Sequence, residues 1–147
     1  MNAKEFLMQA YLLDQQIKSK SEQVESLNEL ATRCTPALTG MPGSSGRSTS
    51  QMADAVGKII DLEAQIGEEA IRLVEVKQRI VNVIQCVDSV SLRVLLERRY
   101  LCGDTWEKIS VALNYDLRWT RRLHERALET VQTILEKKFP EYLNSAK

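Results

Sequence analysis

The stretch LLERRYLCGDTWEKISVALNYDLRWTRRLHERAL, Leu95 to Leu128, decides the reading of this chain. Leu92, Leu95, Leu96, Arg99 and Tyr100 recur at helical spacing and give one apolar face. Gly103 ends that helix, because a residue without Cβ takes the left-handed conformation found just past a helix terminus. Asp104 or Thr105 then offers a capping oxygen to a second helix whose apolar surface is Trp106, Ile109, Val111, Ala112 and Leu113. Asn114-Tyr115 makes a tight turn, and Asp116 is suited to cap a third helix over 116–136. In that last helix Thr120, Leu123, Ala127, Leu128 and Val131 share one face.

The remaining faces of the third helix hold Arg118, Arg121, Arg122, Glu125 and Arg126. Arginines close to a helix N-terminus oppose the macrodipole, and an approaching phosphate backbone removes that objection. Three short helices in this order match the layout of a helix-turn-helix whose final helix enters the major groove of double-stranded DNA. Arg99, Lys108 and Arg126 are then candidate phosphate contacts, which position a reader without reading sequence. Trp119 stands off the buried face, placed to press on a thymine methyl or sugar, or to pack against the preceding long helix. His124, the only histidine, is expected at the surface or on the phosphate side.

Residues 93–130 resemble region 4 of bacterial sigma factors. The resemblance is carried by Leu95-Leu96, Arg99-Tyr100, Gly103, Trp106-Glu107-Lys108-Ile109, Tyr115-Asp116 and Ala127-Leu128. In outline the whole chain is similar to small phage-encoded transcription regulators with a sigma-like C-terminal domain. The resemblance implies that Leu117, Arg118, Trp119, Arg121 and Arg122 face bases or phosphates. Leu117 departs from the polar residue usual at its position, and Thr120 stands where a branched aliphatic is usual.

The front of the chain follows a different rule. Alternating steps of four and three from Phe6 reach Ala10, Leu13, Ile17, Lys20, Val24, Leu27, Ala31 and Cys34, and only Lys20 is charged. A second series runs Met52, Ala55, Ile59, Leu62, Ile66, Glu69, Leu73, Val76, Ile80, Val83 and Val87, and only Glu69 is charged. Such spacing over several heptads predicts two long helices packed at a shallow angle. Gly57 and Gly67 weaken the second by about 1 kcal/mol each relative to alanine. Between the two series lies TPALTGMPGSSGRSTS, 35–50, a connector long enough to reverse the chain. Its glycines lack the lysine-serine ending of a phosphate-binding loop.

The expected fold class is therefore all-α. A long, antiparallel, coiled-coil-like hairpin spans 1–90, a three-helix helix-turn-helix domain spans 91–138, and a tail spans 139–147. Leu7, Tyr11, Leu12, Ile60, Ile71 and Val74 add apolar area off the seam, which predicts a homo-oligomer, most simply a dimer.

Composition narrows the function classes. Lys plus Arg and Asp plus Glu both total 20, so net charge is zero. Its distribution is uneven: residues 93–138 hold ten basic against seven acidic side chains, and residues 1–92 nine against twelve. The positive end coincides with the proposed reader. Three cysteines without CxxC spacing, and a lone histidine, point to reduced thiols and no metal site. No secretory signal opens the chain and no apolar run approaches the roughly 18 residues that span a bilayer, so a cytoplasmic protein without membrane contact is expected. No catalytic constellation and no cofactor motif is present. The expected role is a sequence-specific, non-enzymatic regulator of phage or prophage transcription, with DNA and RNA polymerase as partners. Two other roles fit the same pattern: a small terminase subunit of a DNA-packaging motor, and a helical adaptor that binds protein.

Overall fold

The computed structural model describes the backbone of residues 1–38 and 45–144. Residues 39–44 and 145–147, and the side chains of 34–49, that of Cys34 included, lie outside the described residues; of the connector expected over 35–50, residues 35–38 and 45–50 instead have helical backbone. Among the described residues there is no strand. Helix α1 spans Ala3–Leu38, α2 Ser45–Ile84 and α3 Val90–Leu96. A π-helical turn, Glu97–Leu101, follows α3, and then come α4 (Trp106–Leu113), α5 (Leu117–Lys138) and α6 (Pro140–Asn144). None of the described helices is long and apolar enough to cross a membrane.

Several of the starts and stops have a local cause. Asn2 Oδ1 accepts from the amide of Glu5 while Glu5 Oε2 accepts from the amide of Asn2, a reciprocal capping box that opens α1. Ser89 caps α3 through the amide of Leu92. Gly103 closes the turn after the π segment with φ +73, a left-handed conformation that disfavours any side chain. Thr105 caps α4 through Lys108 N, Asn114 ends it at φ 59, and Asp116 caps α5 through Trp119 N at 2.6 Å. Asparagine is the residue most tolerant of that left-handed geometry after glycine.

The described residues divide into two compact units, Leu13–Arg72 and Met1–Leu12 with Leu73–Lys147. In the first, the described side chains that are not exposed are Leu13, Asp14, Ile17, Lys20, Val24, Leu27 and Ala31 on α1, and Met52, Ala55, Ile59, Leu62, Ile66 and Glu69 on α2. Asp14 apart, every one is a position of the alternating three-four series. The two charged members of those series meet: the Lys20 ammonium pairs with Glu69 Oε1, both side chains being mostly buried. The second carboxylate oxygen, Glu69 Oε2, is buried and has no hydrogen-bond partner among the described residues.

The other unit is built around α5. Its core joins Phe6, Leu7 and Ala10 of α1 to Ile80, Val83 and Ile84 of α2, and these to Ala127, Val131 and Leu135 of α5. Gln132 Oε1 accepts from the amide of Ala3 at 2.7 Å, so an α5 side chain satisfies an unpaired donor in the first turn of α1. A smaller cluster of Leu95, Ile109 and Leu123, with Leu92, Trp106, Leu113 and Trp119 around it, ties α3 and α4 to the front of α5.

Two boundaries and the burial of one residue differ from expectation. The division does not fall between 90 and 91, because the first turns of α1 and the last turns of α2 supply the apolar surface that α5 needs. For the same reason Leu7, expected off the seam, is fully buried, while Tyr11, Leu12, Ile60, Ile71 and Val74 are exposed. The tail expected over 139–147 instead holds α6. Tyr142 stacks on Phe6 with centroids 5.8 Å apart and on Phe139 at 4.9 Å, and the Arg79 guanidinium lies 5.6 Å from its ring.

The Lys20–Glu69 pair yields a stability test. Removing one partner strands the other in a mostly dry seam, whereas replacing both with apolar residues restores an uninterrupted one. Lys20→Met alone should lower unfolding free energy in urea by roughly 1–3 kcal/mol, less than for a fully sealed pair. The double variant Lys20→Met/Glu69→Met should recover the parent's stability or exceed it.

Candidate nucleic-acid interface

Helix α5 has two sides. Thr120, Leu123, Ala127, Val131 and Leu135 are buried, all but Leu123 completely. At about 100° per residue, Arg118, Arg121, Arg122 and Glu125 fall within roughly a 100° arc on the opposite side. All four are exposed. Among the described residues no carboxylate lies within ion-pairing distance of Arg118, Arg121 or Arg122. All three occur in the first two turns, and Asp116, the N-cap, supplies the acidic side chain at that end of the helix. The arrangement is a cationic stripe held in fixed orientation by the burial of the reverse face.

The other residues singled out in the sequence separate into two groups. Lys108 is exposed on α4, and Arg126 is exposed on α5 with its guanidinium 5.2 Å from the centroid of Trp119. Trp119 itself packs against the Leu95–Ile109–Leu123 cluster, so most of its ring serves the interior. Arg99 is half-buried. Its guanidinium lies 4.5 Å from the Trp106 centroid and Nη1 donates to the carbonyl of Asp104 at 3.1 Å. The Asp104 carboxylate pairs with Arg98 at 3.2 Å. Trp119 thus packs inward, one of the two placements expected for it, and Arg99 has internal partners, whereas among the described residues the side chains of Arg118, Arg121, Arg122 and Lys108 have no ion-pair partner.

Behind the stripe, polar side chains fix α4 against α5. Thr120 Oγ1 donates to Asp116 O at 2.8 Å. Ser110 Oγ lies 3.2 Å from Thr120 Oγ1 and 2.9 Å from Trp106 O, with one proton between them. Thr120 therefore answers a buried serine across the helix crossing, which accounts for a hydroxyl where an aliphatic residue was expected. Ser110 escaped notice because a lone serine inside a helix has no sequence signal.

His124 was expected at the surface or on the phosphate side; it is half-buried, its ring held between two others. Its ring meets Trp106 edge-on at 4.6 Å and stacks on Tyr100 at 5.8 Å. Burial, with the nearby charges of Arg99 and Lys4, lowers its pKa to about 4. Burial pushes the Tyr100 hydroxyl up to about 12, against a smaller lowering by Arg99. At neutral pH the imidazole is therefore uncharged, the phenol donates, and Nε2 accepts at 2.6 Å. Among the described residues no group of His, Cys, Asp and Glu is placed to hold a metal ion.

No protein-family model, no curated protein and no solved structure matches this chain.

The imidazole gives a pH prediction with a definite sign. A histidine whose pKa falls from 6.5 to about 4 on folding supports the fold fully above 6.5. That support is lost as pH drops through the interval between the two values. The single histidine Cε1 proton should titrate near 4 in the folded protein by NMR. Tm should fall between pH 6.5 and 4, and His124→Gln should flatten that part of the curve. A midpoint near 6.5 would place the ring in solvent.

Proposed function

We propose that this chain is a sequence-specific DNA-binding regulator of phage or prophage transcription, with a sigma region 4-like helix-turn-helix formed by α3, α4 and α5. The observation that carries the reading is the row of exposed guanidiniums on α5, Arg118, Arg121 and Arg122, without ion-pair partners among the described residues and opposite a face that is almost wholly buried. In the mechanism α5 lies in the major groove, with Arg118, Arg121 and Arg122 toward base edges or phosphates. Lys108 and Arg126 contact the backbone to either side. A cation that no protein carboxylate neutralises gains most from releasing the counterions condensed on DNA. The capped turn Asn114–Asp116 sets the angle between α4 and α5, so the stripe is presented without first being ordered.

The long helices supply the second half of the reading. Lys20 facing Glu69, with Gln23 and Leu27 sharing a groove with Lys58 and Leu62, fits an antiparallel hairpin. Ile60, Ile71 and Val74 remain exposed on α2, and a dimer or a contact with RNA polymerase would cover them. A dimer suits the groove reader because two stripes bind two half-sites one helical turn apart.

DNA binding is tested by selecting bound sequences from random duplexes and measuring affinity against salt. Arg121→Ala should weaken specific binding about 5- to 150-fold, the equivalent of roughly 1–3 kcal/mol for one bidentate base contact. Lys108→Ala should weaken all sequences alike and reduce the salt slope by about one. Absence of duplex binding at low salt would instead favour the protein-binding adaptor, and rings of many subunits would favour the packaging motor.

A further inference from the structure

Next to the π-helical turn lies a partly enclosed cavity of about 320 Å³, lined by Met8, Tyr11, Arg99, Tyr100, Gly103 and Thr105. Its volume is at the lower end of the range for small-molecule sites, roughly 300–1,000 Å³. The wall is made of two phenol rings and a thioether, and the one charged group on it is Arg99. That guanidinium is half-buried and has no carboxylate within ion-pairing distance among the described residues, the nearby Asp104 carboxylate being taken by Arg98. The guanidinium rests on the Trp106 ring and gives one N–H to the Asp104 carbonyl, contacts that leave its positive charge without a counter-ion among the described residues.

The backbone makes the same place unusual. A π-helical turn, Glu97–Leu101, closes α3 and runs into the bend at Cys102–Gly103. Arg99 and Tyr100 of this turn line the cavity together with Gly103, which stands at positive φ and adds no side chain to the wall. Tyr100 Oη is already committed to His124, so the phenol offers its ring rather than its hydroxyl to an occupant. Thr105 accepts from Lys108 N and keeps its own proton to donate.

We propose that this cavity binds a small organic anion, a carboxylate on a flat apolar body, with Arg99 holding the charge and Tyr11, Tyr100 and Met8 enclosing the ring. The site is separate from the arginine stripe of α5 and does not depend on DNA binding. Arg99 becomes its anchor rather than a phosphate clamp.

Benzoate is the probe, with benzamide as its uncharged analogue of the same shape. Both are titrated into the full chain while the Trp106 indole and the His124 ring are followed by NMR. Benzoate should shift both resonances saturably, with a dissociation constant on the order of millimolar for so small a ligand. Benzamide should bind at least about tenfold more weakly, the share of one charge-assisted contact. Occupancy should also raise the His124 titration midpoint, because a bound carboxylate offsets the repulsion from Arg99, leaving Lys4 as the other cation acting on it. Arg99→Gln should abolish benzoate binding; if that variant is poorly folded, the benzoate-to-benzamide ratio on the parent chain decides alone. No saturable shift with benzoate, or equal binding of benzamide, overturns the proposal. Loss of duplex binding with benzoate binding intact would leave this site standing and remove only the DNA reading.

Discussion

Burial of one face of α5 is the constraint on which the rest of the molecule turns. Ala127, Val131 and Leu135 are sealed by residues from the far end of the chain, Phe6, Leu7 and Ala10, together with the last turns of α2, while Thr120 is sealed against Ser110 of α4. Fully burying an aliphatic side chain contributes roughly 1.5–3 kcal/mol. Several in a row therefore leave α5 a single rotational setting about its own axis. Whatever stands on the reverse of the helix is then presented to solvent as a consequence. The orientation of the arginines is thus decided by leucine, valine and alanine.

The interior chemistry follows from the same crowding. Arg99 lies against Trp106, Trp106 meets His124 edge-on, and His124 stacks on Tyr100, so a guanidinium, an indole, an imidazole and a phenol form one chain of ring contacts. Charge enters these contacts only through Arg99, and the imidazole responds by remaining neutral. A histidine in this setting behaves as an aromatic hydrogen-bond acceptor. Its polarity is used to satisfy one buried phenol, and its titration is displaced away from physiological pH.

Local chemistry was legible in the sequence; distant partnership was not. The caps at Thr105 and Asp116, the break at Gly103 and the turn at Asn114 each depend on a few neighbouring residues, and each stands where a short window places it. The alternating three-four series was legible because a helix repeats its geometry: positions 52, 55, 59, 62, 66 and 69 are the described ones withdrawn from solvent on that part of α2. By contrast, the bond from Ala3 N to Gln132 Oε1 joins opposite ends of the chain, and no periodicity encodes it. The same holds for Tyr142 on Phe6, which turns an apparent tail into a helix. His124 and Trp119 were misplaced or left open because a helical wheel separates faces but cannot tell which faces a third element will cover. Arg99 shows the limit from the other side, since charge alone suggested an outward contact where an indole ring lay within reach.

Lys20 and Glu69 carry an implication for how this sequence can drift. Each is the sole offender in an otherwise greasy series, and each is tolerable because the other exists. A codon change at either site alone strands an ion in a dry place, so selection would see the two sites as one. Across any lineage that keeps this architecture, they should be exchanged together or swapped in sign together, a correlated signature linking two distant stretches of gene.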